Sequence, residues 1–365
     1  MQDMTYEGVG VNYDAMDPFK RLCQLAGHAT ESNLVWPLSW KGVETSRGES
    51  AYLVQTPFGF LGFVIEGLGT KNVVADAMYS LTGKTYYDHV AQCNVAMNVN
   101  DLITLGVLPV AFSLYVAGGN SDWFCDQDRA MDLAAGTKRA CDLSGCIWAG
   151  GETPTLKGIV NPDTVDLSGA CFGFTERPFN PDIHEGDEIV LIGSSGIHAN
   201  GLTLARKIAD SIPDGYLTLL PDGRTYGDAL LDPTVIYVSL VRRLIRWEIP
   251  VSYLVNITGH GWRKLMRARG NFRYVIDSIP DPQPVFDFMM EHGPVTLQEA
   301  YGNLNMGSGF AVYTRKGKGK TVVAAAEMCG MSALVAGHIE DGSETKRVVI
   351  DPLDIEYTED TLQVR

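Results

Sequence analysis

The segment between residues 188 and 207 has the clearest potential for chemistry. An apolar run, EIVLIG, leads into Gly193-Ser194-Ser195-Gly196, and an amphipathic helical pattern follows. Glycines let the backbone approach a ligand closely, and the free N–H groups at a helix start attract an anion. The two serine hydroxyls add further donors. This arrangement predicts a phosphate site, and an ordinary strand-to-helix turn is the alternative.

Two more polar residues, His198 and Asn200, come directly after this turn. Asn200 would lie at the mouth of the turn or near the N-cap of the helix. An imidazole with its ordinary pKa of about 6.5 can act as an acid, a base or a polarising donor. The Lys-Ser/Thr ending of a P-loop is missing, so the segment is not a P-loop.

A second glycine-rich loop, Glu66-Gly67-Leu68-Gly69-Thr70-Lys71, again joins a strand pattern to a helix pattern. Such a loop can surround phosphate groups, and Lys71 would supply a positive charge. By itself this spacing fits an ordinary loop better than a phosphate site.

Asp101 is the only Asp, Glu, Lys or Arg between His89 and Ser121. A carboxylate in so uncharged a stretch is either structural or a cation ligand. Glu152 follows a short buried strand, where a side chain can point into a cleft. With Glu66, these two acids could hold Mg²⁺, which binds a few carboxylates together with phosphate and water.

Strand and helix patterns must position these residues. The first 50 residues are predicted to be rich in loops, because glycines and prolines interrupt short apolar stretches. Beyond them, apolar periodicity predicts strands at 58–65, 109–116, 146–151 and 165–174, and helices at 71–81, 86–105 and 126–144.

A second series of elements begins after the segment ERPFNPDIHEGD, which is rich in proline and glycine and predicts a domain boundary. Strands are predicted at 188–193, 309–314, 333–339 and 346–351, and helices at 202–212, from Pro233 onward, and at 320–331. We therefore expect two domains of mixed α+β or α/β class, 1–177 and 178–365.

Composition narrows the class of protein. The chain has 365 residues, of which 45% are hydrophobic and 20% charged, and this excludes a mostly disordered chain. The net charge of −15 argues against nucleic acid as a partner. The seven cysteines contain no C-x-x-C pair and predict free thiols. We find no signal-peptide pattern and no membrane-spanning run, so we expect a cytoplasmic protein with no membrane partner.

Seven short motifs follow one another along the chain. They are GLGTK (67–71), VNDL (99–102), GGET (150–153), GSSGIHANG (193–201), LLDPTVIYV (230–238), TGHGW (258–262) and NMGSGF (305–310). In this order they resemble the phosphoribosylformylglycinamidine cyclo-ligase (aminoimidazole ribonucleotide synthetase) family, and the GSSG-x-H-x-N-G and LL-x-PT-x-IYV elements are specific to it. The resemblance extends over nearly the whole chain, and the opening Tyr6…Gly10-Val11…Asp14 also fits it.

The resemblance implies a homodimer, in which the N-terminal domains of two copies pair into an eight-stranded barrel. It also implies an α/β C-terminal domain and ATP in a cleft near the dimer interface. The implied reaction is the ATP-dependent closure of an imidazole ring on formylglycinamidine ribonucleotide, a small phosphorylated substrate, in purine biosynthesis.

The same resemblance implies roles for individual residues. These are catalysis by His198, Asn200 and Lys71; ATP binding by Gly67, Gly69, Thr70, Lys71 and Asn100; binding of the substrate phosphate by Ser194, Ser195 and Gly196; and Mg²⁺ binding by Glu66, Asp101 and Glu152.

The chain departs from the family pattern at several of these positions. Ile65-Glu66-Gly67 replaces Thr-Asp-Gly, residues 154–157 lack the usual second acid and Met-Pro pair, Thr258-Gly259-His260-Gly261 replaces a TGGG turn, and Asn12 replaces an Asp. Two alternatives therefore stay open: a related ATP-dependent enzyme acting on another phosphorylated amide, and a non-catalytic nucleotide-binding protein. Thiamine-phosphate kinase is disfavoured within the first alternative, because its Gly-Asp-Asp signature is not evident.

Overall fold

Each half of the chain forms its own β-sheet in the computed structural model, which describes residue 8 and residues 13–34, 39–293, 295–342 and 345–362. The predicted fold class, two mixed α+β units, is confirmed. The domain boundary between residues 177 and 178 stays a prediction. The N-terminal motif residues Tyr6, Gly10, Val11 and Asn12 lie outside the described residues.

The N-terminal sheet has six strands in the order β1-β2-β3-β6-β4-β5. Neighbouring strands are antiparallel except β4 and β5, which are parallel. The strands are β1 (Lys41–Gly42), β2 (Tyr52–Thr56), β3 (Gly59–Gly67), β4 (Leu108–Gly118), β5 (Ile147–Glu152) and β6 (Val165–Thr175).

Helix α3 (Tyr87–Leu102) packs on one face of this sheet and is buried on nearly all sides. Asparagines replace apolar residues where the helix meets strand backbone. Asn94 donates from Nδ2 to the Ser168 carbonyl at 3.0 Å, and Asn98 Oδ1 accepts from the Glu66 N–H at 3.1 Å. The other helices of this half are α1 (Tyr13–Ala29), α2 (Lys71–Thr82) and α4 (Gln127–Ser144).

The loop-rich start predicted for the first 50 residues is wrong, because α1 is a helix of 17 residues. Its apolar residues Phe19, Leu22 and Leu25 recur every third position but are 65 to 70% exposed, so they do not form the buried stripe by which a core helix is recognised. Pro18 lies inside the helix, beyond its first turn, where proline cannot donate the hydrogen bond that a helical N–H makes to the carbonyl four residues earlier.

The opposite face of the N-terminal sheet carries exposed apolar side chains. Phe63 and Ile65 on β3 are 55% and 67% exposed, and Phe172 on β6, which pairs with Phe63, and Ile147 on β5 are also open to solvent. A solvent-exposed sheet face this apolar is typical of an interface. No closed barrel exists within the described residues of one chain, since β1 and β5 are the free edges of the sheet.

The C-terminal sheet has seven strands in the order β13-β12-β9-β11-β7-β10-β8. Strands β7 and β10 lie inside it and are buried almost throughout, which explains their continuous apolar runs. The strands are β7 (Glu188–Gly193), β8 (Val251–Asn256), β9 (Phe272–Ile276), β10 (Ser308–Thr314), β11 (Ala333–Asp341), β12 (Arg347–Ile350) and β13 (Ile355–Thr358).

Among the described residues, six α-helices complete this half of the chain. They are α5 (Leu202–Ser211), α6 (Tyr226–Leu230), α7 (Val238–Arg246), α8 (Pro284–His292), α9 (Leu297–Asn303) and α10 (Gly319–Glu327). The prediction that a helix starts at Pro233 is wrong, since α7 begins five residues later. In the part of the chain that the structure describes, no helix combines the length and apolar character needed to cross a bilayer.

The segment 231–237 connects the two halves by hydrogen bonds. It is not helical because its backbone groups bond to α3 rather than to one another. Its backbone bonds side chains of α3: the Leu231 carbonyl lies 3.0 Å from His89 Nδ1, and the Thr234 carbonyl accepts from Gln92 at 3.0 Å. Asn100 donates to the Val235 carbonyl at 2.8 Å and accepts from the Tyr237 N–H at 3.0 Å. We call this segment the interdomain clasp.

Candidate active site

A cavity of about 480 Å³ lies between the two halves of the chain. The N-terminal half supplies helix α1, the turn 48–50, Glu66 and Asp101, and the C-terminal half supplies Asn200 and the segment around 256–267. Residues from both halves therefore form one site. The lining side chains that carry charge or hydrogen-bonding groups are Lys20, Gln24, Glu49, Ser50, Glu66, Asp101, Asn200, Asn256, Thr258, His260, Lys264 and Arg267.

Glu66 and Asp101, two of the acids singled out in the sequence, come together in this cavity. Burial raises the pKa of Glu66 to about 8, and the nearby Asp101 charge and a hydrogen bond to Asp101 act in the same direction. Asp101 Oδ1 accepts from Asn256 Nδ2 at 2.7 Å. At neutral pH the Glu66 carboxyl group therefore keeps its proton and can donate a hydrogen bond to Asp101.

Lys264 is a functional candidate that the sequence reasoning missed. Its side chain is buried, and its Nζ donates to Thr258 Oγ1 and, at 3.5 Å, to the Asn256 carbonyl. Burial lowers its pKa to about 8, and the negative charge of Asp101 opposes this shift. The sequence signal that could have identified it is a lysine three residues after the turn 258–261, with Arg263 and Arg267 nearby in the sequence.

His260 occupies the place where the resembling family has glycine, and its backbone shows why glycine fits there. Its φ of 70° is left-handed, a region that side chains seldom adopt. The ring is buried, with Nε2 3.8 Å from Asp17 Oδ2 on α1. Burial, followed by the charges of Arg263 and Lys264, lowers its pKa to about 2. His260 is therefore a neutral residue that lines the cavity between the turn 258–261 and α1.

Glu152, the third predicted Mg²⁺ ligand, does not join Glu66 and Asp101 within one chain. The register aligns Gly67, Ser168, Tyr115 and Glu152 across four strands, one residue out of step with Glu66. Because side chains alternate between faces, Glu152 lies on the face opposite to Glu66 and three strands away, roughly 14 Å along the sheet. A smaller cavity of about 460 Å³ on that outer face has Ile65, Tyr115 and Glu152 in its lining.

The predicted phosphate turn 193–196 uses most of its donors inside the protein. The N–H groups of Gly193 and Ser194 donate to the Ser332 and Gly307 carbonyls at 2.8 and 2.9 Å. Ser194 Oγ donates to Asn305 Oδ1 at 3.0 Å, and Ser195 Oγ donates to the Pro233 carbonyl at 2.6 Å. The Gly196 carbonyl accepts from Asn305 as well. This turn is packed rather than open, so it does not form a ready anion cradle.

His198 is buried beneath this turn and does not line the cavity. Its Nε2 accepts from the Ser195 N–H at 3.2 Å and the Val235 N–H at 3.5 Å, so the proton resides on Nδ1. Burial, assisted by the charge of Lys71, lowers its pKa to about 3. The expectation that it keeps an ordinary pKa is therefore wrong. Asn200, in contrast, does line the cavity.

Lys71 and Asn100 face the domain junction. The Lys71 ammonium has no exposed surface and donates to the carbonyls of His198 at 2.7 Å and Asp232 at 2.5 Å. Both polar atoms of the Asn100 side chain bond the interdomain clasp. In this arrangement neither side chain points a donor at open space.

The loop formed by Gly67, Gly69 and Thr70 is more open. A Cβ added at either glycine would meet no atom within 4 Å, and Gly69 has a left-handed φ of 77°. Thr70 Oγ1 is buried and has no hydrogen-bond partner among the described residues. Of the two glycine-rich loops, this one has room for a ligand.

Comparison with known proteins identifies the family. The N-terminal domain of AIR synthase related protein matches residues 57–175, and the C-terminal domain matches residues 184–350. The chain is 32% identical to phosphoribosylformylglycinamidine cyclo-ligase of Methanococcus maripaludis strain C6, over 95% of this chain and 96% of that protein. It is 31% identical to the protein of the same name from Carboxydothermus hydrogenoformans, over 96% and 100% of the two chains.

Solved structures share the fold at low sequence identity. The AaThiL protein complexed with AMPPCP and TMP has a TM-score of 0.62 at 16% identity, covering 95% of this chain and 98% of that one. A chain of the HypE–HypF complex has a TM-score of 0.60 at 14% identity, covering 92% and 98%. The domain matches and the full-length relatives agree with the order of motifs in the sequence. The chain belongs to the AIR synthase related family.

Proposed function

We propose that this protein closes the imidazole ring of aminoimidazole ribonucleotide from formylglycinamidine ribonucleotide, using ATP. The observation that carries the proposal is the cavity between the domains. There Glu66, which precedes the GLGTK motif, and Asp101 of the VNDL motif meet amide and cationic groups of the C-terminal half. The full-length relatives that carry the cyclo-ligase name support the same reaction.

The chemistry requires positioning and charge neutralisation. The substrate amide oxygen attacks the γ-phosphorus of ATP, and ADP leaves. The neighbouring amidine nitrogen then attacks the activated carbon, the bond from that carbon to the phosphorylated oxygen breaks, and the nitrogen loses a proton as phosphate departs. Phosphoryl transfer of this kind needs little covalent help from the protein. Lys264 and Arg267 can neutralise phosphate charge, and Asn200 can hydrogen-bond the substrate amide.

The donor set of the cavity fits Mg²⁺. Glu66 and Asp101 become a pair of anionic oxygen ligands when the proton leaves Glu66, and Mg²⁺ favours one or two carboxylates with phosphate and water. Glu66 and Asp101 would hold the ion, which would neutralise the charge of the ATP phosphates. Glu152 is not part of this set within one chain.

We further propose that the loop of Gly67, Gly69 and Thr70 receives the ATP phosphates, because it has free space and an unpartnered hydroxyl. Lys71 would join them by leaving its two carbonyl acceptors. Ser194, Ser195 and Gly196 remain our proposal for the substrate phosphate, and binding there requires the internal hydrogen bonds of the turn to open. His198 would then support the turn rather than exchange protons.

The exposed apolar face around Phe63 and Ile65 supports a homodimer as part of this proposal. A second copy placed on that face would bury it and would pair two N-terminal sheets. The same face carries Glu152, so each copy would bring that carboxylate to the interface.

An assay with the purified protein, formylglycinamidine ribonucleotide, Mg²⁺ and ATP tests the reaction by measuring ADP and the aminoimidazole together. We expect equal amounts of both products. Asp101→Asn should abolish them, whereas Asp142→Asn, at an exposed position on α4, should leave them unchanged. ADP without imidazole would indicate another phosphorylated amide as substrate, and ATP binding without turnover would indicate a non-catalytic protein.

A further inference from the structure

Lys264 brings a positive charge from the C-terminal half to the two acids of the N-terminal half. It lies in the turn of 3₁₀ helix Gly261–Met266, which follows the left-handed His260. Its residue is 9% exposed, and it lines the same cavity as Glu66 and Asp101. A lysine is rarely buried to this extent unless its charge has partners.

The neighbours of Lys264 fix where its charge lies. Its Nζ is held by Thr258 Oγ1 and by the Asn256 carbonyl, while the amide of Asn256 bonds Asp101 Oδ1. Asn256 therefore connects the ammonium to the carboxylate through one side chain and its own backbone. The charge is held next to the acid pair by neutral groups.

The other cations of the cavity are anchored elsewhere. Arg267 donates to Ser50 Oγ and to the Gly48 carbonyl, both at 2.9 Å, and so binds the N-terminal turn 48–50. Lys20 on α1 bonds Asp17 at 2.8 Å and is 40% exposed. Lys264 is thus the cation that is both buried and placed at the acid pair.

We propose that Lys264 is a built-in counter-ion of the Glu66–Asp101 pair that keeps a free divalent cation off these carboxylates and attracts the polyphosphate of the nucleotide. The inference rests on the proposed function, since it concerns the same cation and nucleotide. Its consequence is an order of binding, in which the cation enters together with ATP because phosphate charge then outweighs the ammonium.

A fixed positive charge has opposite effects on the two ligands, and this separates it from a structural role. It weakens the binding of a cation and strengthens the binding of a polyphosphate, each by Coulomb interaction in a site partly shielded from water. A side chain that only supports the fold would change both affinities in the same direction when it is removed.

The test uses the full chain with Lys264→Met. Mn²⁺ binding without nucleotide is measured by electron paramagnetic resonance, and ATP binding in EDTA is measured by calorimetry. We expect Mn²⁺ to bind at least about tenfold more tightly and metal-free ATP at least about tenfold more weakly than to the wild type, as for loss of one nearby charge. Lys264→Gln should behave in the same way and retains a donor for Thr258 if the methionine variant does not fold.

Two controls sharpen the test. Lys264→Arg keeps the charge and should retain wild-type affinity for both ligands. Lys20→Met removes a charge from the rim of the same cavity and should change both affinities much less. Equal effects of Lys20→Met and Lys264→Met would assign the result to the general field of the cavity and overturn the proposal.

The remaining outcomes distinguish this inference from the proposed function. If Lys264→Met weakens both ligands, or changes neither, the counter-ion role is wrong while the cyclo-ligase proposal stands. If no variant binds Mn²⁺ or ATP, with or without the other ligand, the cation and nucleotide site itself is wrong and both proposals fail.

Discussion

Glu66 shows at the scale of one residue how the fold changes the chemistry of a side chain. The sequence identifies it as an acid in a glycine-rich loop, but only the structure shows that it points toward α3 and meets Asp101 there. Its longer side chain, compared with the Asp of the resembling family, lies where burial and a like charge favour its protonated form.

The raised pKa of Glu66 makes a prediction about stability and pH. The folded protein retains a proton on this group up to about pH 8, whereas the unfolded chain releases it near the ordinary glutamic acid pKa of 4.5. Without divalent cations, the free energy of unfolding should therefore fall as pH rises from about 5 to 8, by at most about 1.4 kcal/mol per pH unit from this group.

Glu66→Gln should remove that part of the pH dependence, which urea denaturation at several pH values would measure. Below pH 8 Lys264 stays largely protonated and adds little to the slope. Glu152→Gln is the matched control on the exposed strand β5 and should leave the slope unchanged. A slope that is equal in the wild type and Glu66→Gln would contradict the buried acid pair.

His198 shows what the sequence could not reveal about a residue. Its motif predicted a histidine next to a glycine turn, and that histidine is there. Its burial depends on the clasp, whose Val235 N–H donates to the ring from 37 positions along the chain. The spacing of residues around His198 carries no information about a donor so far away in the sequence. The sequence alone therefore could not show that the ring is buried, which bears on the predicted proton-transfer role.

At the scale of elements, the sequence predicts a helix that starts at Pro233 inside the interdomain clasp, because proline is common at the first position of a helix. The apolar residues Val235 and Val238 fit the buried face of such a helix. Helical hydrogen bonds within the segment compete with bonds to α3, and Asn100, Gln92 and His89 take the backbone groups that a helix would use. In contrast, strands β7 and β10 and helix α5 were predictable because each has a strong local pattern.

Asn100 gives the element-scale prediction. Asn100→Ala should lower the free energy of unfolding by about 2 kcal/mol, because the Val235 carbonyl and the Tyr237 N–H lose their partners in a buried place. Chemical denaturation measures this change. Asn161→Ala, at an exposed loop position, should change stability little. If Asn100→Ala lowers ATP affinity without lowering stability, the nucleotide role implied by the resemblance is correct.

At the scale of the whole molecule, two sheets from two halves of the chain were predictable from the alternation of elements and the boundary near Pro178. Their mutual position was not, since it depends on contacts between α3 and the clasp. Only the family resemblance predicts that a second chain covers the outer sheet face. The alternation of side chains within β3 does not show whether Phe63 and Ile65 are covered in this way.

The dimer prediction belongs to this scale. Ile65→Arg places a charge in the centre of the exposed apolar face and should shift the protein from dimer to monomer in sedimentation velocity. Leu81→Arg is the matched control, since Leu81 is 54% exposed on α2, away from that face. A wild type that sediments as a monomer would show that the face has another partner or none.

The interdomain clasp has a consequence for how the chain comes apart. The bonds between segment 231–237 and α3 are buried or partly buried and have one partner in each half. Neither half can therefore melt without leaving buried polar groups of the other, such as the Asn100 side chain, unpaired. The two folding units are thus thermodynamically linked, and heat should take them through one calorimetric transition in place of two.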